Sequence, residues 1–364
     1  MTLTPQTTQL TRALAGARNL LINCAGIQSA DNVLIIYEDP ALGWYDAETP
    51  FFVADVAREL GASVRLKQTD GPDNRLIDAG ALIDEDCDCC IFFCRKGDQL
   101  RFDPADVGCT RVMSYARTLD ALASDYGCVD YRAMLALKKS VDSLLLKASD
   151  ITITCPLGSK VSGSMAEVAS PEEVTLLRFP MGIHMPIDAS NFSGEVALAR
   201  YLTPTGSKVY DPPWIAIEDC VMANLSQGRI DSYTGDDETI QRIDRHYETV
   251  AALFSLDPRI VHSWHCGIHP GCDFPGRAED DPDRWSNTVF TNPRFLHFHT
   301  CASYPPGEIC WMVLDPSISV DGVVLWEEGV LKPQRSLTTH QCLLDWPELV
   351  PLFAKGNGAV GLPR

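Results

Sequence analysis

The first 148 residues alternate between short apolar runs and helical patterns, and this alternation restricts the possible folds more than any other feature. VLIIYED (33–39) is a continuous apolar run, and TPFFVADVAREL (49–60) is a helical pattern that opens with Thr49 and Pro50. Further strand-like runs are ASVRLKQ, CCIFFC and RVMSYA, and residues 131–147 form an amphipathic helical pattern. Such alternation is typical of a mainly parallel sheet flanked by helices, so we predict an α/β domain over residues 1–148.

This predicted domain lacks the glycine-rich loops that bind nucleotides. Neither G-x-G-x-x-G after the first strand nor G-x-x-x-x-G-K-[ST] occurs in the chain. We therefore expect no nucleotide cofactor.

From about residue 149 the pattern changes to short strands separated by glycine and asparagine turns. ITITCPLGSKVSG (151–163) and PWIAIEDCVMANLSQGRID (213–231) are examples, with helices expected at 237–252 and 345–353. GRAEDDPDRWSN (276–287) has the composition of an acidic loop. We predict a second, β-rich α+β domain over residues 149–364.

Composition and charge exclude several classes of partner. The formal net charge is -19 and the sequence pI is about 4.7, so the chain offers no basic surface for nucleic acid or anionic lipid. No apolar run is long enough to span a bilayer, and the N-terminus has no signal-peptide pattern, so we expect a cytoplasmic protein.

Cysteine usage agrees with a cytoplasmic location, since fourteen cysteines in such a protein are expected to be thiols. Cys87, Cys89, Cys90 and Cys94 lie in a strand-like run in which successive side chains face opposite sides. We interpret them as small core residues and not as a metal site.

Five of the eight histidines lie in two short segments, VHSWHCGIHPGCD (261–273) and NPRFLHFHTC (292–301). Imidazole and thiolate bind transition metals, and His297 and His299 share one side of a predicted strand. The best candidate metal set is His265, His297 and His299, with zinc favoured. The alternatives are His262, Cys266 and Cys301.

A hydrolytic site would also need a general base. The nearest candidates in the sequence are Glu308 and Asp315.

Several blocks between residues 151 and 331 resemble, in order, the metal-dependent aminopeptidases of the aminopeptidase T type and their relative 2,5-dihydroxypyridine 5,6-dioxygenase. The blocks are ITITCPLGSKV, FPMGIHMPIDASNFSGEVAL, IEDCVMANLSQGRID, HSWHCGIHP, NPRFLHFHTC and ICWMVLDPSISVDGVVL. The resemblance implies an N-terminal α/β domain, a β-rich C-terminal domain and a homodimer. It also implies two divalent metals in the aminopeptidases and one ferrous ion, bound by two histidines and an aspartate, in the dioxygenase.

The resemblance carries over only part of a ligand set. His265 and His297 match ligand positions, whereas Ile183 stands where the aminopeptidases have a glutamate. Trp311 and Val313 stand where both relatives have an H-x-D pair. The expected ligand set is therefore incomplete and lacks a carboxylate.

Two functions remain open from the sequence. The first is a peptide-binding pseudoenzyme without a cofactor, similar to the proteins that guide crocagin-type ribosomal peptide maturation. Trp311 would form the floor of its cleft. The other cleft residues would be Val313, Ile183, His184, His269, Arg95 and Lys96.

The second function is an active metalloenzyme with a reorganised site around His265, His297 and His299. It would be a zinc peptidase or hydrolase, or else a non-haem iron dioxygenase.

Overall fold

A computed structural model describes residues 5–72, 79–84, 86–101, 108–165, 174–204, 210–303 and 307–363. The chain divides into two compact units. The first comprises Met1–Leu135 and Glu172–Met181, and the second Ala136–Pro171 and Gly182–Arg364. The observed division thus precedes the predicted boundary at 148/149, and a later segment returns to the first unit.

The described residues form strands and helices that we number in chain order. The strands are β1 Asn32–Glu38, β2 Ser63–Thr69, β3 Cys89–Phe93, β4 Thr110–Ser114, β5 Ile151–Thr154, β6 Lys160–Gly163, β7 Leu177–Phe179, β8 Ile187–Asp188, β9 Ser193–Pro204, β10 Ile215–Ser226, β11 Arg229–Thr234, β12 Val261–Cys266, β13 Phe295–Thr300, β14 Ile309–Leu314, β15 Ser317–Val320, β16 Val323–Glu327 and β17 Val330–Leu331. The α-helices are α1 Pro5–Arg18, α2 Thr49–Glu59, α3 Ala79–Leu82, α4 Lys96–Gln99, α5 Leu119–Ala123, α6 Asp125–Cys128, α7 Tyr131–Leu145, α8 Asp237–Phe254, α9 Pro282–Val289, α10 Leu337–Asp345 and α11 Leu349–Lys355.

The first unit contains the predicted parallel sheet. Its strand order is β2-β1-β3-β4-β7, and every neighbouring pair is parallel. All five residues of β3 are buried, as expected for a continuous apolar strand in a sheet covered on both faces. The cysteines of this region are therefore core residues, and all fourteen cysteines of the chain are free thiols.

The second unit is built on a large antiparallel sheet. Its order is β17-β16-β15-β5-β6-β9-β14-β13-β12-β8, and β10 pairs with both β9 and β11. Together the two sheets confirm the predicted fold class, an α/β unit and a β-rich α+β unit. The fully buried side chains of this second unit include four tryptophans, Trp264, Trp285, Trp311 and Trp326.

Two helix predictions in the second unit differ from the structure. The acidic segment expected to be a loop contains helix α9, because Asp281 accepts a hydrogen bond from the backbone N–H of Arg284 and Pro282 occupies the first turn. The helix expected at 345–353 corresponds to α11, which begins only at Leu349, and α10, which ends at Asp345, was not predicted. Among the described residues, no helix is both long and apolar enough to cross a membrane.

Candidate functional site

Strands β12 and β13 bring three of the predicted metal ligands together. In the antiparallel register His265 lies directly opposite His297, and His299 follows two residues later on the same face of β13. The ring centroid of His265 is 5.3 Å from that of His297 and 4.8 Å from that of His299. The histidine trio, by which we mean His265, His297 and His299, is thus a spatial cluster.

All three members of the histidine trio are buried. Burial, and secondarily the neighbouring His299, lower the pKa of His297 to about 3, so this imidazole is neutral at pH 7. No described residue offers a hydrogen-bond partner to Nε2 of His297 or to Nε2 of His299. A buried ring nitrogen without a partner is costly, and a metal ion is one group that would satisfy it.

Glu308 lies against the histidine trio. It directly precedes β14, is 1% exposed, and contacts Nδ1 of His299 through its Oε1. An ionised carboxylate only accepts hydrogen bonds, so a hydrogen bond in this pair requires a proton on Nδ1 of His299. The carboxylate of Glu308 is buried and contacts His299, so its position does not favour the predicted role as a general base.

Asp315, the other predicted base, belongs to a separate ion pair. Its two carboxylate oxygens accept hydrogen bonds from Arg294 at 2.6 and 2.8 Å. This bidentate geometry is typical of a structural pair, and it occupies both oxygens of the carboxylate.

Trp311 and Val313 do not share the face of the histidine trio, which corrects the prediction that they line the cleft. In the β13–β14 register Trp311 pairs with Phe298 and Val313 with Leu296, on the alternate face of the sheet. Trp311 is 0% exposed and its Nε1 donates to the hydroxyl of Tyr247 at 2.6 Å. Both side chains are therefore core residues.

Ile183 and His184 hold the end of β12 in place. Ile183 forms a β-bridge with Gly267 and is buried. His184 Nδ1 donates to the carbonyl of Met185 at 2.6 Å, while its Nε2 accepts the backbone N–H of Cys266 at 2.8 Å. Because both ring nitrogens are engaged, His184 is not available to bind a metal.

The remaining alternative ligands lie outside the trio's face or are otherwise engaged. Cys266 is opposite Leu296 and its thiol contacts the carbonyl of Pro293. His262 Nε2 lies 3.2 Å from the carbonyl oxygen of Cys301, which directly follows β13. Cys266 therefore lies on the opposite face of β12 from His265, and His262 contacts the backbone of Cys301.

His269 belongs to the turn after β12. It is fully buried, and its Nδ1 accepts the backbone N–H of Gly271 at 3.2 Å. Its predicted place in a ligand cleft stays a prediction.

Arg95 and Lys96 follow β3 at the carboxyl end of the parallel sheet, as the sequence predicts. Arg95 pairs with Glu38 at 3.1 Å and stacks over Trp44 at 4.2 Å, and Lys96 donates to Thr69 at 2.9 Å. Their role as cleft residues stays a prediction.

Sequence reasoning missed Phe290 and Tyr247. Phe290 ends helix α9 and packs against the rings of His265 and His297, at centroid distances of 6.3 and 6.1 Å. No sequence signal marks it, since it lies between the acidic segment 276–287 and the second histidine segment 292–301. Tyr247 is part of the amphipathic pattern of α8, which gives no indication that its hydroxyl meets Trp311.

The imidazoles are clustered but are not arranged as a preformed metal site. Among the described residues, no group of three or more histidine, cysteine, aspartate or glutamate side chains has its donor atoms placed to hold an ion. The three histidines therefore lie together, and their role as metal ligands stays a prediction.

Comparison with known proteins supports the fold. No family model and no curated protein sequence matches the chain. The structure is similar to that of 2,5-dihydroxypyridine dioxygenase from Pseudomonas putida KT2440, with 13% identity and a TM-score of 0.58, over 93% of this chain and 100% of that one. It also matches wild-type AmpT from Thermus thermophilus, with 14% identity and a TM-score of 0.49, over 88% and 99% of the two chains. The likeness to the dioxygenase confirms the expected fold and extends to nothing finer.

Proposed function

We propose that this protein is a metal-dependent enzyme in which His265, His297 and His299 bind a single divalent ion. The observation that supports this proposal best is the histidine trio itself, three buried imidazoles gathered on adjacent strands. Two of them have an Nε2 atom for which no described residue supplies a partner. Aliphatic residues would fill an apolar core without the free-energy cost of buried ring nitrogens that lack partners. The presence of three histidines here therefore indicates a function.

The chemistry of the donor set fits such an ion. Three protein ligands with an open position are the usual composition of a catalytic site, and neutral imidazole suits both zinc and iron. His297 is held neutral by burial and by its neighbour His299. Since the donor atoms are not preassembled, binding would include reorientation of these side chains.

The H-x-H pair at 297 and 299 also changes the interpretation of the missing ligands. The resemblance placed the second ligand pair at Trp311 and Val313, where the structure has core residues. The same i, i+2 spacing occurs at His297 and His299, directly beside His265. We therefore propose that the site is reorganised and not degraded.

When bound, a divalent ion would polarise a substrate oxygen or activate a ligand in its open position. The chain itself would supply three neutral imidazoles and an apolar surface beside them. Phe290 forms part of this surface, because it packs against the rings of His265 and His297. Such a surface excludes water and favours a substrate with an apolar or aromatic portion.

Between the two reactions we favour an oxygen-dependent reaction at a ferrous ion over hydrolysis at zinc. Both predicted general bases are engaged, Glu308 by His299 and Asp315 by Arg294. A zinc hydrolase is the second candidate, because imidazole ligands suit zinc equally well.

The peptide-binding hypothesis loses its main structural support. It required Trp311 at the floor of a cleft, whereas this side chain is fully buried on the other face of the sheet. A precursor peptide of a ribosomal peptide pathway as the ligand, a homodimer and a cytoplasmic location stay predictions.

Elemental analysis of protein purified without added metal tests the proposal. We expect close to one iron or zinc per chain in the wild type, and a strong loss in His265→Ala, His297→Ala and His299→Ala. His340→Ala is the matched control, since His340 is exposed on helix α10.

Two outcomes would reject the proposal. One is a wild-type protein that contains no metal and takes up neither Fe²⁺ nor Zn²⁺ in equilibrium dialysis. The other is metal that all three variants retain. A metal-free protein that binds a precursor peptide would instead support the peptide-binding hypothesis.

A further inference from the structure

We propose that Glu308 is a positioning residue that acts on the metal site through His299 and supplies the negative charge that the three imidazoles lack. This inference rests on the proposed function. It assigns a role to a carboxylate that the sequence suggested only as a general base. The observation behind it is the contact between Oε1 of Glu308 and Nδ1 of His299, both in buried side chains.

The backbone holds Glu308 at this place from two sides. The adjacent pair Thr300 and Ile309 closes the β13–β14 ladder, and the hydroxyl of Thr300 donates to the carbonyl of Ile309 at 2.8 Å. The buried hydroxyl of Tyr210 donates to the carbonyl of Glu308 at 2.9 Å. The carboxylate is thus presented to His299 by a fixed segment of chain.

Gly307 contributes to the same rigidity. It has a φ of +95°, which favours glycine. A Cβ atom at this position would lie 2.5 Å from Leu256 and 2.9 Å from Phe254. The residue before Glu308 is therefore packed closely against the end of helix α8 and the residues that follow it.

The contact orients His299, because Nδ1 meets the carboxylate and Nε2 has no partner among the described residues. When this ring binds a metal with its proton on Nδ1, Nε2 is the atom that coordinates. A carboxylate behind a ligating histidine also raises the basicity of that ligand and fixes its orientation. His299 is consequently the member of the trio best prepared to bind a cation.

Charge balance gives the pair a second role. Three neutral imidazoles leave both positive charges of a divalent ion uncompensated, in surroundings where all three side chains are buried. An isolated charge in such surroundings is costly. Glu308 offsets one unit of this charge without occupying a coordination position, which leaves room for substrate.

The test measures Zn²⁺ affinity of the full-length protein by competition with a chromophoric chelator. Glu308→Gln keeps an oxygen that can accept from Nδ1 but removes the charge, and we expect binding about 10–100-fold weaker. His299→Ala should lose more. Asp315→Asn is the matched control, because its carboxylate is paired with Arg294, and it should bind as the wild type does.

A second readout separates positioning from a general loss of structure. The visible bands of bound Co²⁺ report the ligand field, and we expect them to shift in Glu308→Gln. Thermal unfolding of the metal-free variants shows whether each is folded. If Glu308→Gln does not fold, Glu308→Asp replaces it: the shorter side chain keeps the charge but withdraws from Nδ1, and weaker binding is again expected.

The outcomes for this inference and for the proposed function are distinct. Unchanged Zn²⁺ affinity and Co²⁺ bands in a folded Glu308 variant, together with lost binding in His299→Ala, would overturn the role of Glu308 alone. Failure of the wild type to bind Zn²⁺ or Co²⁺ would overturn the proposed function and this inference with it.

Discussion

Replacement of Trp311 distinguishes a core residue from a ligand-binding residue. The indole is fully buried, its Nε1 donates to Tyr247, and its ring packs on Phe298 at a centroid distance of 5.9 Å. Removing a buried aromatic side chain of this size lowers the free energy of unfolding by about 3–5 kcal/mol, through lost burial and the cavity left behind. We expect Trp311→Ala to fall in this range.

Trp311→Phe separates the hydrogen bond from the packing. It loses the bond to Tyr247, which contributes about 0.5–1.5 kcal/mol, and part of the ring volume. The hydroxyl of Tyr247 keeps its contact with Thr300, so it is not left without a partner. We therefore expect a loss of about 1–3 kcal/mol in total.

Equilibrium unfolding in guanidinium chloride measures these changes as a lower midpoint at constant slope. Trp214→Phe is the control, because Trp214 is only partly buried and packs on Tyr201. Metal content of folded Trp311→Phe should equal that of the wild type. An unchanged midpoint for Trp311→Ala, combined with lost peptide affinity, would refute the assignment of Trp311 to the core.

Three further predictions concern other parts of the chain. Burial lowers the pKa of His246 from 6.5 to about 4. Between pH 6.5 and pH 4 this histidine therefore binds a proton in the unfolded chain but not in the folded chain, so the free energy of unfolding falls as the pH drops through this range. His246→Asn should remove at most about 3 kcal/mol of that loss, measured as the pH dependence of urea unfolding, and an unchanged pH profile would contradict the prediction. Glu38→Gln leaves the buried cation of Arg95 uncompensated and should cost about 3–5 kcal/mol in the same assay, whereas a cost below about 1 kcal/mol would mean that the pair behaves as an exposed one. Gly267→Ala would place a Cβ atom 2.2 Å from the carbonyl oxygen of Asn292, so we expect a loss of at least about 1–3 kcal/mol, and wild-type thermal stability would disprove the close packing.

The sequence predicts the parallel sheet well because each of its early strands is a local signal. Continuous apolar runs mark β1 and β3, and a short run of mixed polarity between a helix and a turn marks β2, all without knowledge of their neighbours. The short strand β7 completes the sheet from a distant part of the chain, and no local pattern predicts that return. The boundary between the two units is hard to predict for the same reason, because part of the first unit comes from a distant part of the chain.

The candidate site was only partly predictable for a related reason. The two-residue period of a strand places His297 and His299 on one face, but it does not reveal which face or which neighbouring strand lies opposite. Pairing with His265 and the opposite orientation of Trp311 both follow from the register between strands. The contact of Glu308 with His299 depends in addition on how the chain re-enters β14.

X-ray absorption at the metal edge tests the central claim most directly. On protein loaded with one equivalent of Fe²⁺ or Zn²⁺, we predict that the atoms bound to the metal include three imidazole nitrogens. The scattering from the outer atoms of the imidazole rings should be reduced in each single alanine variant of His265, His297 and His299. A first shell of sulfur ligands, or a spectrum that the three variants leave unchanged, would contradict the proposal that these histidines form the metal site.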